Sequence, residues 1–144
     1  MLKGMKNSKS LPKVISIVAI TLGCLDLIRG IAHTLLLEFA ALNIAGLDLS
    51  TNQAADLLQL MGSFGISNYI SGIALILVGW KARELAWILL GVIPAAYLVG
   101  GIAIRTNSAG YSSTQAAWGG ISPMMVYLGV SLFTFLYGLW EKRS

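Results

Sequence analysis

Apolar residues follow one another without interruption through most of this chain. Stretches such as "IALILVGW" and "LAWILLGVI" lack the period of two of a half-buried strand. They also lack the polar positions that mark one face of a helix on a water-soluble domain. Four such runs can be placed, over residues 14–37, 57–80, 85–104 and 121–140. A helix over the first is about 36 Å long, enough to cross a hydrocarbon core of about 30 Å with some tilt. Backbone in hydrocarbon must satisfy its own hydrogen bonds, and the alternation of a β-barrel is absent. The expected fold is therefore an all-α integral membrane protein, a four-transmembrane-helix antiparallel bundle forming a single domain over residues 1–144.

Connections refine this layout. Residues 81–84, "KARE", read as a tight turn that makes the second and third spans antiparallel neighbours. The stretch 38–56 is semi-polar and long enough for a short interfacial helix. The segment from Arg105, "RTNSAGYSSTQAAWGG", reads as a flexible connector. Ser122 and Pro123 are expected to open the fourth span as N-cap and first helical residue. Pro94 removes a backbone donor within the third span and is expected to kink it. No internal repeat is evident.

Charge then orients the bundle. Of the ten basic residues, Lys3, Lys6, Lys9, Lys13, Lys81, Arg83, Lys142 and Arg143 fall at the two ends of the chain and in the second loop. With four spans these places share one side, which the positive-inside rule makes cytoplasmic together with both termini. Trp80, Trp87 and Trp140 lie near the same ends, as an interfacial aromatic belt requires. The net charge of +4 is thus topological, and no nucleic-acid partner is expected. Hydrophobic residues make up 56% and charged residues 11%, against about a quarter charged in soluble domains, and mean hydropathy is +0.77. Localisation in a prokaryotic plasma membrane is the expectation. "TLGC" at 21–24 faintly resembles a lipoprotein cleavage box, but the apolar run continues past it, so no cleavage is expected. Cys24 is the one cysteine, which excludes an intrachain disulfide.

Against this background Asp26, Arg29 and His33 stand out within the first span. At about 100° per residue they share an arc about 60° wide. Each of the first two costs about 2.5–3.5 kcal/mol to insert at a helix centre. Arg29 is too deep to reach the basic end, and it leans back toward Asp26 one turn earlier, so an ion pair is the economical arrangement. Intramembrane ionisable groups mark ion, proton or ligand pathways, or else fix helix packing. Glu38 falls off this stripe and reads as interfacial.

The other spans each show one small-and-polar face. The second has Gln59, Ser63, Ser67 and Ser71 at intervals of four, with Asn68 and Tyr69 nearby. The serines read first as helix-packing positions. The third has Gly91, Pro94, Ala95, Tyr97 and the pair Gly100–Gly101, and the fourth Tyr127, Ser131, Thr134 and Gly138. Turning all faces inward brings the Asp26–Arg29–His33 stripe against Gln59, Asn68, Tyr97 and Tyr127 in one polar interior.

One histidine and one cysteine give no metal-ligand pair, and no phosphate loop or nucleophile–base motif is present. No cofactor is expected. The layout of four short-looped helices resembles several groups of small prokaryotic membrane proteins, the DoxX-like group among them, with no motif that carries a residue across. The expectation is a small non-catalytic membrane protein, a subunit of a larger membrane complex or a homo-oligomer. Its polar interior would take a proton, ion or small polar group. The alternative is a membrane enzyme acting on a lipid or quinone with His33 as acid/base. A third reading is a purely structural bundle.

Overall fold

The computed structural model of the protein describes residues 10–108, 110 and 121–144. Within them the chain is helical: α1 Lys13–Ala32, α2 Leu37–Asn43, α3 Ala54–Lys81, α4 Arg83–Asn107 and α5 Ile121–Arg143. Four of these, α1, α3, α4 and α5, are long and apolar enough to cross a membrane. Lys3, Lys6, Lys9 and most of the connector after Arg105 lie outside the described residues.

The first span is shorter than its hydrophobicity suggests. Helix α1 stops at Ala32 rather than at residue 37, and His33 is its C-cap. No glycine or proline marks the break, because the reason is tertiary. Leu35 and Leu36 turn their amides back to the Ile31 carbonyl, and the chain restarts as α2, which buries Ala40 and Ala41 in a small core with Met61 of α3. Thr34 Oγ donates to the Gly30 carbonyl at 2.8 Å, satisfying an acceptor that the end of the helix leaves open. The short helix falls where the 38–56 stretch left room for one. Beyond it the chain turns at Gly46, whose φ of 65° suits glycine. Asp48 Oδ1 accepts from the Ser50 amide at 2.9 Å and the Ser50 hydroxyl at 2.6 Å, and these bonds hold its carboxyl below the ordinary carboxylate range.

Helices α1 and α3 form the tightest pair, and glycine decides it. Gly23 and Gly30 are seven residues apart on α1, and Gly65, Gly72 and Gly79 are seven apart on α3. That interval returns to nearly the same face, drifting about 20° each time. A Cβ at Gly72 would lie 2.7 Å from the Gly23 carbonyl oxygen, and one at Gly23 would lie 2.7 Å from that of Gly72. The two backbones touch there. Gly79 faces Ser16 and Ala19, and Gly65 faces His33 and Thr34, so α3 runs antiparallel to α1. Of the serines read as packing positions, Ser63 and Ser67 are exposed and donate to their own helix's carbonyls, whereas Ser71 faces α1.

Ala82 alone separates α3 from α4, as the tight turn required. The basic residues at this junction, at the start of α1 and at the end of α5 share one end of the bundle. Arg83 donates to the Leu11 carbonyl at 2.7 Å and to Ser16 Oγ at 3.2 Å. Lys142 lies 3.5 Å from Glu84 and 4.3 Å over the Trp87 ring. The larger core sits toward this basic end, built from Leu11, Ile15, Ala19, Leu22, Leu75, Ala86, Leu90 and Tyr127. No residue of α4 beyond Leu90 is buried. The far half of α4 is bare, with Leu98, Val99, Ile102 and Ile104 exposed.

Pro94 sits inside a continuous α4. Its missing N–H frees the Leu90 carbonyl, four residues earlier, and the wholly buried Ser131 hydroxyl of α5 donates to that oxygen at 2.9 Å. A prediction follows from this exchange. Ser131→Ala strands a buried acceptor and is expected to destabilise the protein by about 1–3 kcal/mol. In a Pro94→Ala background, where the helix supplies its own donor, the same change is expected to cost clearly less. Thermal unfolding of the four variants in detergent measures the coupling, and equal costs in both backgrounds would refute it.

Ser122 and Pro123 do not open α5 as N-cap and first residue. Ile121, before them, is already helical, so both lie inside the helix. The buried residues of α5 are Tyr127, Ser131, Thr134 and Gly138, the small-and-polar face read from the sequence.

Candidate polar site

Asp26 lies on the glycine-lined side of α1, where close backbone approach brings α3 within reach. It is 4% exposed. Its Oδ2 accepts from Ser71 Oγ of α3 at 2.9 Å and from the Tyr127 hydroxyl of α5 at 3.1 Å. Its Oδ1 is 3.5 Å from Arg29 Nη1. One carboxylate therefore ties three helices together, and each of its oxygens has a partner. Two O–H donors and a guanidinium surround the carboxylate, so its polar atoms are buried with partners rather than alone.

Arg29 differs from Asp26 in its surroundings. Its side chain is 36% exposed, and it lies within electrostatic reach of both Tyr127 and His33. One turn further, Asn68 Nδ2 lies 3.4 Å from His33 Nδ1. An amide N–H only donates, so Nδ1 accepts and the neutral ring carries its proton on Nε2. Gly65 allows this approach, since a Cβ there would meet His33 backbone and side-chain carbon at 3.0 Å.

Asp26, Arg29, His33, Asn68 and Tyr127 are thus neighbours. Tyr97 comes within electrostatic reach of Tyr127 but is 41% exposed, because α4 has little cover beyond Pro94. Gln59 does not join them. It is exposed on the part of α3 that runs past the end of α1, since Gly65 already stands level with His33.

Two contributors escaped the sequence reading. Ser71, read with the other serines as packing, donates to Asp26. Tyr69 packs its ring on Gly30 and pairs its hydroxyl with Thr34 Oγ at 2.9 Å. Because Thr34 donates to Gly30, the Tyr69 hydroxyl is the donor. The intervals of seven between glycines would have placed α3 against α1, and so Ser71 beside Asp26.

Among the described residues no cluster of three or more His, Cys, Asp or Glu side chains is placed to hold a metal ion. Comparison with protein-family models, curated proteins and solved structures finds no match for this chain.

Proposed function

We propose that this chain is a four-span integral membrane protein, with both termini on the cytoplasmic side of a prokaryotic plasma membrane. In this reading its polar centre binds a small polar or ionic group without catalysing a reaction. The observation that carries it is the asymmetry of the Asp26–Arg29 pair. Asp26 is closed off and fully partnered by three helices, whereas Arg29 keeps over a third of its side chain open. A purely structural pair would close both members, since an open guanidinium at membrane depth is costly.

The surface supports the membrane part. Large apolar side chains such as Ile17, Ile28, Phe64, Ile70, Leu98 and Phe133 are exposed on every long helix, far more than a water-soluble monomer presents. The bare half of α4 is where lipid, a second copy or another membrane subunit would lie in an assembly. Basic residues and tryptophans gathered at one end support the orientation.

The test is to express the chain, wash the membranes with alkaline carbonate and purify it gently. Mass spectrometry of the co-purifying small molecules then compares it with Arg29→Gln/Asp26→Asn. Retention in the washed membrane is expected, with a polar or ionic compound enriched in the unsubstituted protein. Release by carbonate, or identical small-molecule content in both proteins, would overturn the reading.

A further inference from the structure

The donors and acceptors of the polar centre do not balance. Asp26 has spent both oxygens. A guanidinium carries five N–H donors in a planar fork, yet among the described residues Arg29 makes no hydrogen bond beyond its 3.5 Å approach to Asp26. His33 accepts at Nδ1 from Asn68, which leaves Nε2–H as another donor with no acceptor among the described residues. Arg29 and His33 stand four residues apart and so share one face at the end of α1.

The unspent groups on these two side chains are donors, and one bears a full positive charge. A cation has nothing to gain from them. An acceptor-rich anion does, and the guanidinium fork matches a carboxylate or phosphate edge with two parallel bonds. Among the described residues, the far half of α4 leaves apolar surface uncovered. Leu98, Val99 and Ile102 are exposed, and a Cβ at Gly100 or Gly101 would meet nothing within 4 Å.

Resting on the membrane reading above, we propose that Arg29 and His33 seat one anionic oxygen group, a phosphate or carboxylate. The bare half of α4 leaves room for the apolar tail of an amphiphile that carries it.

The experiment uses the full chain in detergent. Native mass spectrometry with an equimolar mixture of dioleoyl phosphatidylglycerol and dioleoyl phosphatidylcholine measures headgroup preference at constant tail. Calorimetric titration with inorganic phosphate measures the anion without a tail. We expect the unsubstituted protein to retain the anionic lipid roughly tenfold better than the zwitterionic one, the scale of a lost charge-assisted contact. Arg29→Gln/Asp26→Asn, which keeps shape and removes both charges together, is expected to lose that preference. Arg29→Lys is expected to keep part of it. Helical content by circular dichroism confirms that each variant is folded.

Arg29-dependent phosphate binding without a lipid preference would support the anion seat and identify a free anion as its source. Lack of both, or either one independent of Arg29, would overturn the proposal. If this happens in protein that resists carbonate extraction and still enriches another polar compound through Arg29, only the anion assignment falls. Protein released by carbonate takes the membrane reading down with it.

Discussion

Asp26→Asn is expected to destabilise the assembled bundle, and adding Arg29→Leu is expected to restore most of the loss. The single change is close to isosteric. An amide oxygen still accepts from the Ser71 and Tyr127 hydroxyls that now bind Oδ2, so the hydrogen bonds largely survive. What disappears is the negative charge 3.5 Å from Arg29. Removing one member of a buried pair costs about 3–5 kcal/mol because the other is left uncompensated. The Arg29 side chain is 36% exposed, which places the expected loss near the lower figure. Removing both charges is often neutral or stabilising. Resistance of the folded state to denaturing detergent, followed by circular dichroism, measures all three proteins. A double variant less stable than the single would show that Arg29 contributes through something other than its pairing with Asp26. This change and the anion test act on the same side chain but ask different questions, one about the pair's energy and one about its open side.

Gly72→Leu is expected to disrupt the α1–α3 pair strongly. The new Cβ would sit 2.7 Å from the Gly23 carbonyl oxygen and 3.0 Å from the Leu27 side chain. A backbone carbonyl cannot swing aside as a side-chain end can, so the helices must separate. Overpacking costs about 1–3 kcal/mol where side chains can adjust, and at a backbone contact the upper part of that range is expected. Separation also moves Ser71, one residue away, out of reach of Asp26, so the polar centre is weakened together with the packing. Gly129→Leu is the matched control, because a Cβ at Gly129 meets nothing within 4 Å. It should unfold at nearly the unsubstituted temperature. Equal losses at Gly72 and Gly129 would mean that α1 and α3 are not in backbone contact.

The candidate site was legible in part. The Asp26–Arg29–His33 stripe depends only on helical periodicity, and the Tyr127–Ser131–Thr134–Gly138 face became the buried face of α5 for the same reason. Gln59 was misplaced because its spacing with Ser63, Ser67 and Ser71 describes a face of α3 without saying how far along α3 the partner helix reaches. Ser71 shares that face yet lies deep enough to meet Asp26. Tyr97 was drawn inward on the assumption that all four helices stay packed along their length, whereas α4 buries nothing beyond Leu90.

Hydrophobic run length alone determined the four long helices, and the placement of lysine, arginine and tryptophan alone marked their shared end. Both are properties of single residues meeting a solvent, and need no knowledge of neighbours. The end of α1 at Ala32, the contact of Gly23 with Gly72 and the rescue of the Leu90 carbonyl by Ser131 were decided only in three dimensions. Each depends on a group from another helix arriving at a particular height, and that height is set by how closely two backbones approach.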